Sequence, residues 1–232
     1  MIEVLTDAGD PTGLPAPLLA VGAFAPAASG TDGGEADAAR RPVPTAAAAA
    51  ALAPLGDPVD ELVALGFDGA AGATVRVRVP GGDGARTVLV VGLGPAARCT
   101  RDVLRRAAGA AVRAAGDVTE LVTDLAMVTA VPDATGDGSD APAAVVRAVA
   151  EGALLGAYRF DAYRSRPRPH RLGRVVLAGV PAGLEDAVAR ARVAAEATTW
   201  VRDLVNTPPA EKRPVALADR VAAAFAGTDV AV

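Results

Sequence analysis

Few residues in this sequence have the means to do chemistry. Clustered carboxylates are what a pair of divalent ions needs to activate a bridging water. Asp133, Asp137 and Asp140 form such a cluster, but with no Glu or His beside them; residues 132–140 read as a solvated acidic loop. His170 is the only histidine and sits in Arg168-Pro169-His170-Arg171 with no nucleophile near it in sequence, so it reads as a surface loop residue. Cys99 precedes a helix start, where a thiolate is favoured, yet it has no His or second Cys nearby and reads as structural. Neither His-x3-His nor Cys-x2-Cys occurs. No catalytic or metal-ligating residue is therefore assigned.

Two features could engage phosphate. The turn Gly92-Leu93-Gly94 lies between a strand and a helix, where backbone N–H groups can cradle an anion. Arg164, Arg166, Arg168 and Arg171, followed by Arg174, form an arginine-rich stretch that could meet a nucleic-acid backbone. Pro167 and Pro169 interrupt that stretch, and the net charge of −4 argues against a dedicated nucleic-acid binder. A solvated loop and an ordinary strand-end turn are the simpler readings.

The elements that must position these residues follow from periodicity. Apolar runs at 2–5 and 18–24 read as strands, and 25–45 as a mobile loop of Pro, Gly, Ala and acidic residues. A short helix is expected over 57–67, with Pro58 in its first turn. Residues 75–79 alternate Val and Arg, as a strand with one wet face does, whereas 88–91 are continuously apolar, as in a strand covered on both faces. The two form an expected hairpin with a loop over 80–85. Thr100 caps a helix reaching about residue 115, with Leu104, Ala107, Ala108 and Ala111 as its apolar stripe. A strand near 121–128, a helix from about 143 and a strand over 175–178 follow. A long helix then spans 184–205, with Val193, Ala197, Trp200, Val201 and Leu204 on one face. Pro208 ends it near Asn206, Pro214 starts another helix, and 229–232 read like an opening strand, as in a chain that continues. Interleaved strands and helices make the class α/β with a mixed sheet flanked by helices.

Composition sets outer bounds. A chain of 232 residues can bury a sizeable core without disulfides, and the single cysteine fits a reducing compartment. No basic leader followed by an apolar run opens the chain, and no uncharged apolar run is long enough to span a bilayer. A cytoplasmic location is expected.

Three segments together resemble the leucyl aminopeptidase (cytosol aminopeptidase) family: Val90-Val91-Gly92-Leu93-Gly94 with the helix after it, Glu151-Gly152-Ala153-Leu154-Leu155-Gly156-Ala157-Tyr158-Arg159-Phe160-Asp161-Ala162-Tyr163-Arg164-Ser165, and Val201-Arg202-Asp203-Leu204-Val205-Asn206-Thr207-Pro208-Pro209. Lys212-Arg213 departs from the family, which usually has an uncharged pair before the next proline. The resemblance implies a macro-like N-terminal domain over 1–182, a linker helix over 183–206 and the start of a catalytic domain over 207–232. It implies a parent enzyme that releases N-terminal amino acids, Leu preferred, from peptides. That enzyme would use two Mn2+ or Zn2+ ions held by residues beyond 232, and would assemble as a homohexamer. On this reading the present chain is inactive alone, and its partners are its own catalytic domain and other copies. The rival reading is a self-contained module for nucleotide, ADP-ribose or nucleic acid. Exposure of Trp200 and Leu204 on the linker helix is expected for the first reading, and their burial for the second.

Overall fold

The computed structural model describes residues 1–27, 41–81, 84–128, 141–167 and 171–230. Its centre is a seven-stranded mixed sheet. β1 (Glu3–Asp7), β7 (Arg174–Ala178), β6 (Glu120–Thr123), β2 (Leu18–Ala25) and β5 (Gly84–Pro95) run parallel in that spatial order, and β4 (Thr74–Gly81) closes the far edge antiparallel to β5. A two-residue strand, β3 (Val43–Pro44), pairs antiparallel with the end of β2.

β2 is the axis of the fold. Leu18 to Ala23 are all buried, and their side chains alternate between two cores. Leu18 and Ala20, with Leu89 and Val91 of β5, face α3 (Arg101–Ala114), α4 (Ala141–Gly156) and the start of α5 (Glu185–Asn206). Leu19 and Val21, with Val88 and Val90 of β5 and Val77 and Val79 of β4, face α1 (Ala46–Leu52) and α2 (Pro58–Ala64). Each fully buried Leu or Val contributes about 1.5–3 kcal/mol from leaving water. A strand covered on both faces must be apolar at every position, which is why 18–24 and 88–91 show no alternation.

Several expectations need correction. The hairpin loop is shorter than expected: pairing continues to Pro80↔Ala85 and Gly81↔Gly84, so only residues 82 and 83 lie between the strands. Pro80 is tolerated because β4 is an edge strand and needs no further donor there. β6 ends at Thr123, well before 128; Asp124 leaves the extended region (φ −94°, ψ 0°) and a 3-10 turn, Leu125–Met127, follows. α1 was not foreseen, since its alanine run has no amphipathic period; Thr45 caps it by accepting from the N–H of Ala48. Residues 229–230 form no strand, and 231–232 lie outside the described residues, as does most of the loop expected over 25–45.

The long helix meets the core mainly through small residues. α5 rests on the core through Ala187, Val188, Ala191 and Ala195. The apolar face marked out in the sequence looks outward at Val193 (68% exposed) and Val201 (51%), while Trp200 and Leu204 are half-buried, between the exposure expected on the first reading and the burial expected on the second. The last helix, α6 (Pro214–Phe225), buries no residue at all.

α3 and α4 cross at unusually short range. A Cβ on Gly152 would lie 1.9 Å from the carbonyl oxygen of Arg105, and one on Gly156 would lie 2.7 Å from the Cα of Gly109. Backbone cannot give way there as a side-chain tip could. Gly152→Ala is therefore expected to lower stability by about 1–3 kcal/mol, the cost of overpacking a filled interface, despite Ala's better helix propensity. Urea unfolding followed by circular dichroism checks this; an unchanged or raised midpoint contradicts the close crossing.

Candidate functional site

The glycine turn closes on the protein itself. Gly92 N–H donates to the carbonyl of Ala73 (2.8 Å) and Gly94 N–H to that of Gly69 (2.9 Å), while the Gly92 carbonyl accepts from Gly72 N–H (2.9 Å). A Cβ on Gly92 would lie 1.9 Å from Ala70 O. The two glycine donors expected to meet a phosphate are thus already engaged, and glycine at 92 serves close backbone approach. Cys99 is fully buried among the residues under α3, in keeping with a structural role.

The arginine stretch is exposed and partly neutralised. Arg164 pairs with Asp161 (3.2 Å), and Arg174 bridges Glu3 (3.3 Å) and Glu120 (3.2 Å) across β1, β7 and β6. Arg166 and Arg171 are exposed, and Arg168 lies outside the described residues together with His170. Asp133, Asp137 and Asp140 also lie outside them. Among the described residues, no three His, Cys, Asp or Glu side chains converge as a metal-ligand set. A shallow groove of about 410 Å³ where α3 meets α4 gathers arginines, but Arg105 pairs with Asp102 and Arg147 with Glu151 (2.9 Å).

Two features were not singled out by sequence. The first is Asp124, directly after β6. β6 pairs with β2 only at Leu19↔Val122 and Ala20↔Thr123; farther along, Ala23 and Phe24 of β2 pair with β3 instead. Asp124 sits where one partner gives way to the other. It is 5% exposed, its Oδ2 lies 3.4 Å from the Thr45 hydroxyl, and its Oδ1 has no hydrogen-bond partner among the described residues. Burial pushes its carboxyl up to about 7; hydrogen bonds from its own N–H, from Thr45 and from Gly22 N–H offset this only in part.

The second is a polar cluster joining two of the family-like segments. The segment after α4 meets the end of α5 and the 3-10 turn Pro209–Glu211. Tyr158 OH donates to Asp203 (2.9 Å) and accepts from the Asn206 amide (3.0 Å), and the Arg202 guanidinium lies 5.4 Å from the Tyr158 ring centre. Tyr163 OH donates to Glu211 (2.7 Å), and its ring packs on Phe160 at 5.7 Å. Burial, and next the bond to Asp203, raise the Tyr158 phenol; for Tyr163 the bond to Glu211 comes first. An open groove of about 530 Å³ runs over Arg159, Tyr163, Asp203, Glu211 and Arg220.

Residues 40–167 match the family model described as "Cytosol aminopeptidase family, N-terminal domain". A "Probable cytosol aminopeptidase" of Rhodococcus jostii (strain RHA1) is 35% identical over 179 residues, covering 74% of this chain and 32% of that protein. The chain thus spans about a third of the length of this curated relative. Among solved structures, the bottromycin maturation enzyme BotP in complex with Mn superposes with a TM-score of 0.62 at 34% identity, over 91% of this chain and 36% of that one. A mutant tomato leucine aminopeptidase shares the fold, with a TM-score of 0.65 at 21% identity over 97% of this chain and 43% of that one.

The Asp124 carboxyl yields a pH prediction. Its pKa is higher folded (about 7) than in a free chain (3.8), so the folded state keeps a proton that the unfolded state has lost. That stabilisation is fully present below about pH 4 and is lost as pH rises through 7, on the order of a few kcal/mol in all. Asp124→Asn imitates the neutral acid, so its urea midpoint is expected to fall less between pH 5 and 8 and to exceed the parent's at pH 8. Parallel pH profiles for both proteins contradict this.

Proposed function

This chain belongs to the cytosol aminopeptidase family and carries its N-terminal domain; on that premise we propose that it is the non-catalytic N-terminal part of a metal-dependent aminopeptidase. In this reading the whole enzyme acts in the cytoplasm and releases N-terminal amino acids, leucine preferred, from peptides. Two divalent ions, Mn2+ or Zn2+, would polarise the scissile carbonyl and activate water. The residues described here do not fit that role, since no metal-ligand set converges among them. Residues 1–182 form the N-terminal domain on this reading, 183–206 the linker helix, and 207–232 the start of the catalytic domain.

One observation carries the proposal: the family match spans 40–167, yet the alignment to a curated aminopeptidase takes in 74% of this chain and only 32% of that protein. The manganese in the matched BotP structure supports a metal-dependent reaction. The surface of the last two helices supports a partner for this chain. Val193, Val201 and Val205 on α5, and Val215 and Phe225 on α6, are all at least 37% exposed. Solvent is a poor neighbour for a set of that size, and a covering domain, with further copies in a hexamer, accounts for it. Trp200 and Leu204, expected to be either open or covered, are intermediate, so the exposed valines carry this argument instead. No helix among the described residues is long and apolar enough to cross a membrane.

The test is an activity comparison. The purified 232-residue chain, incubated with Mn2+ or Zn2+, is expected to show no turnover of leucine p-nitroanilide. The same chain fused to the C-terminal two-thirds of the Rhodococcus relative is expected to cleave it. Turnover by a homogeneous preparation of the chain alone overturns the reading.

A further inference from the structure

α6 is held by polar contacts and little else. It buries no residue, so apolar packing does not fix its direction relative to α5. Among the described residues, Arg220 is the one α6 side chain that hydrogen-bonds outside its own helix. It donates to the Thr207 hydroxyl (3.2 Å) and to Glu211 (3.4 Å). Thr207 is buried and in turn donates to the carbonyl of Asp203 in α5 (2.7 Å). Glu211 accepts from Tyr163 on the same Oε2 that meets Arg220. Arg220 therefore ties α6 at once to the end of α5 and, through Glu211, to the segment after α4, 48 residues earlier than Glu211.

From this arrangement we infer that Arg220, Glu211 and Tyr163 form a latch that sets the direction of α6 and opens without disturbing the sheet and its helices. The upper half, Tyr158 with Asp203 and Asn206, anchors the end of α5 and stays closed when the latch opens. Several features make the latch suited to opening. The Arg220 and Glu211 side chains are 40% and 50% exposed, so water and salt compete for their charges. Pro208 and Pro209 sit between α5 and α6 and deny the connection two backbone donors. Rupture of the latch takes no buried side chain of α6 out of a core, because α6 has none. What the latch orients rests on the function proposed above, where α6 belongs to the start of the catalytic domain; that it holds α6 does not.

The experiment measures α6 directly in the 232-residue chain. Nitroxide labels are placed at Arg78→Cys on β4 and Ala222→Cys on α6, both exposed, while the native Cys99 is fully buried. Pulsed dipolar spectroscopy is expected to give one narrow distance distribution in the parent and a broad one in Arg220→Met. Amide exchange in α6 is expected to rise about threefold or more, with α3 and α4 unchanged. Sodium chloride at 1 M is expected to broaden the parent distribution in the same direction. A distribution as narrow in Arg220→Met as in the parent overturns the latch, as does one already broad in the parent. Should Arg220→Met disturb α3 and α4, Tyr163→Phe, which deletes one hydroxyl, decides by the same criterion. Leucine p-nitroanilide turnover by the chain would overturn the proposed function and leave these distances unaffected.

Discussion

Covering β2 on both faces is the constraint from which most of the structure follows. A central parallel strand has no wet side, so Leu18 through Ala23 can be placed only if helices cover each face of the sheet. On one face the task falls to α1 and α2, short helices with few large side chains. On the other it falls to α3, α4 and α5, which must fit side by side over a sheet five parallel strands wide. Their apolar faces are built mainly from Ala, Val and Leu, and small residues allow a close fit. Gly152 against Arg105 and Gly156 against Gly109 are where that fit reaches backbone contact.

The same constraint separates what the sequence reveals from what it hides. Elements with a continuous apolar run or an apolar stripe were legible: β2, β5, α3, α4 and the end of α5 set by Pro208. α1 was not, because six alanines carry no period that distinguishes a buried side from a wet one. The face by which α5 meets the core was hidden for a related reason. Its core contacts are Ala187, Val188, Ala191 and Ala195, mostly alanines that look neutral, whereas the larger Val193 and Val201 mark the other face and lie in solvent. Size is a guide to burial only where the interface is wide enough to need it.

The candidate sites show a further limit. Gly92 and Gly94 stand out in the sequence, but spacing alone does not say whether a backbone donor meets a ligand or a neighbouring loop; here both donors meet residues of the 69–73 loop. Asp124 looks like any aspartate until β6 parts from β2 around it. The polar cluster was present in the sequence as two separate family-like segments, with partners such as Tyr158 and Asp203 lying 45 residues apart. Contacts of that separation are set by how α4 and α5 pack, and no local pattern announces them.

The two borders of the sheet bear on how this protein can associate. β4 presents Arg76 and Arg78 between its buried valines and ends near Pro80, and β1 carries Glu3 and Asp7. Charge and a missing donor make each border a poor template for a neighbouring strand, so growth of the sheet from molecule to molecule is disfavoured. Strand-to-strand growth and contact through the uncovered valines of α5 and α6 are thus separate matters that draw on different surfaces of the same chain, and the sheet's own margins oppose only the first.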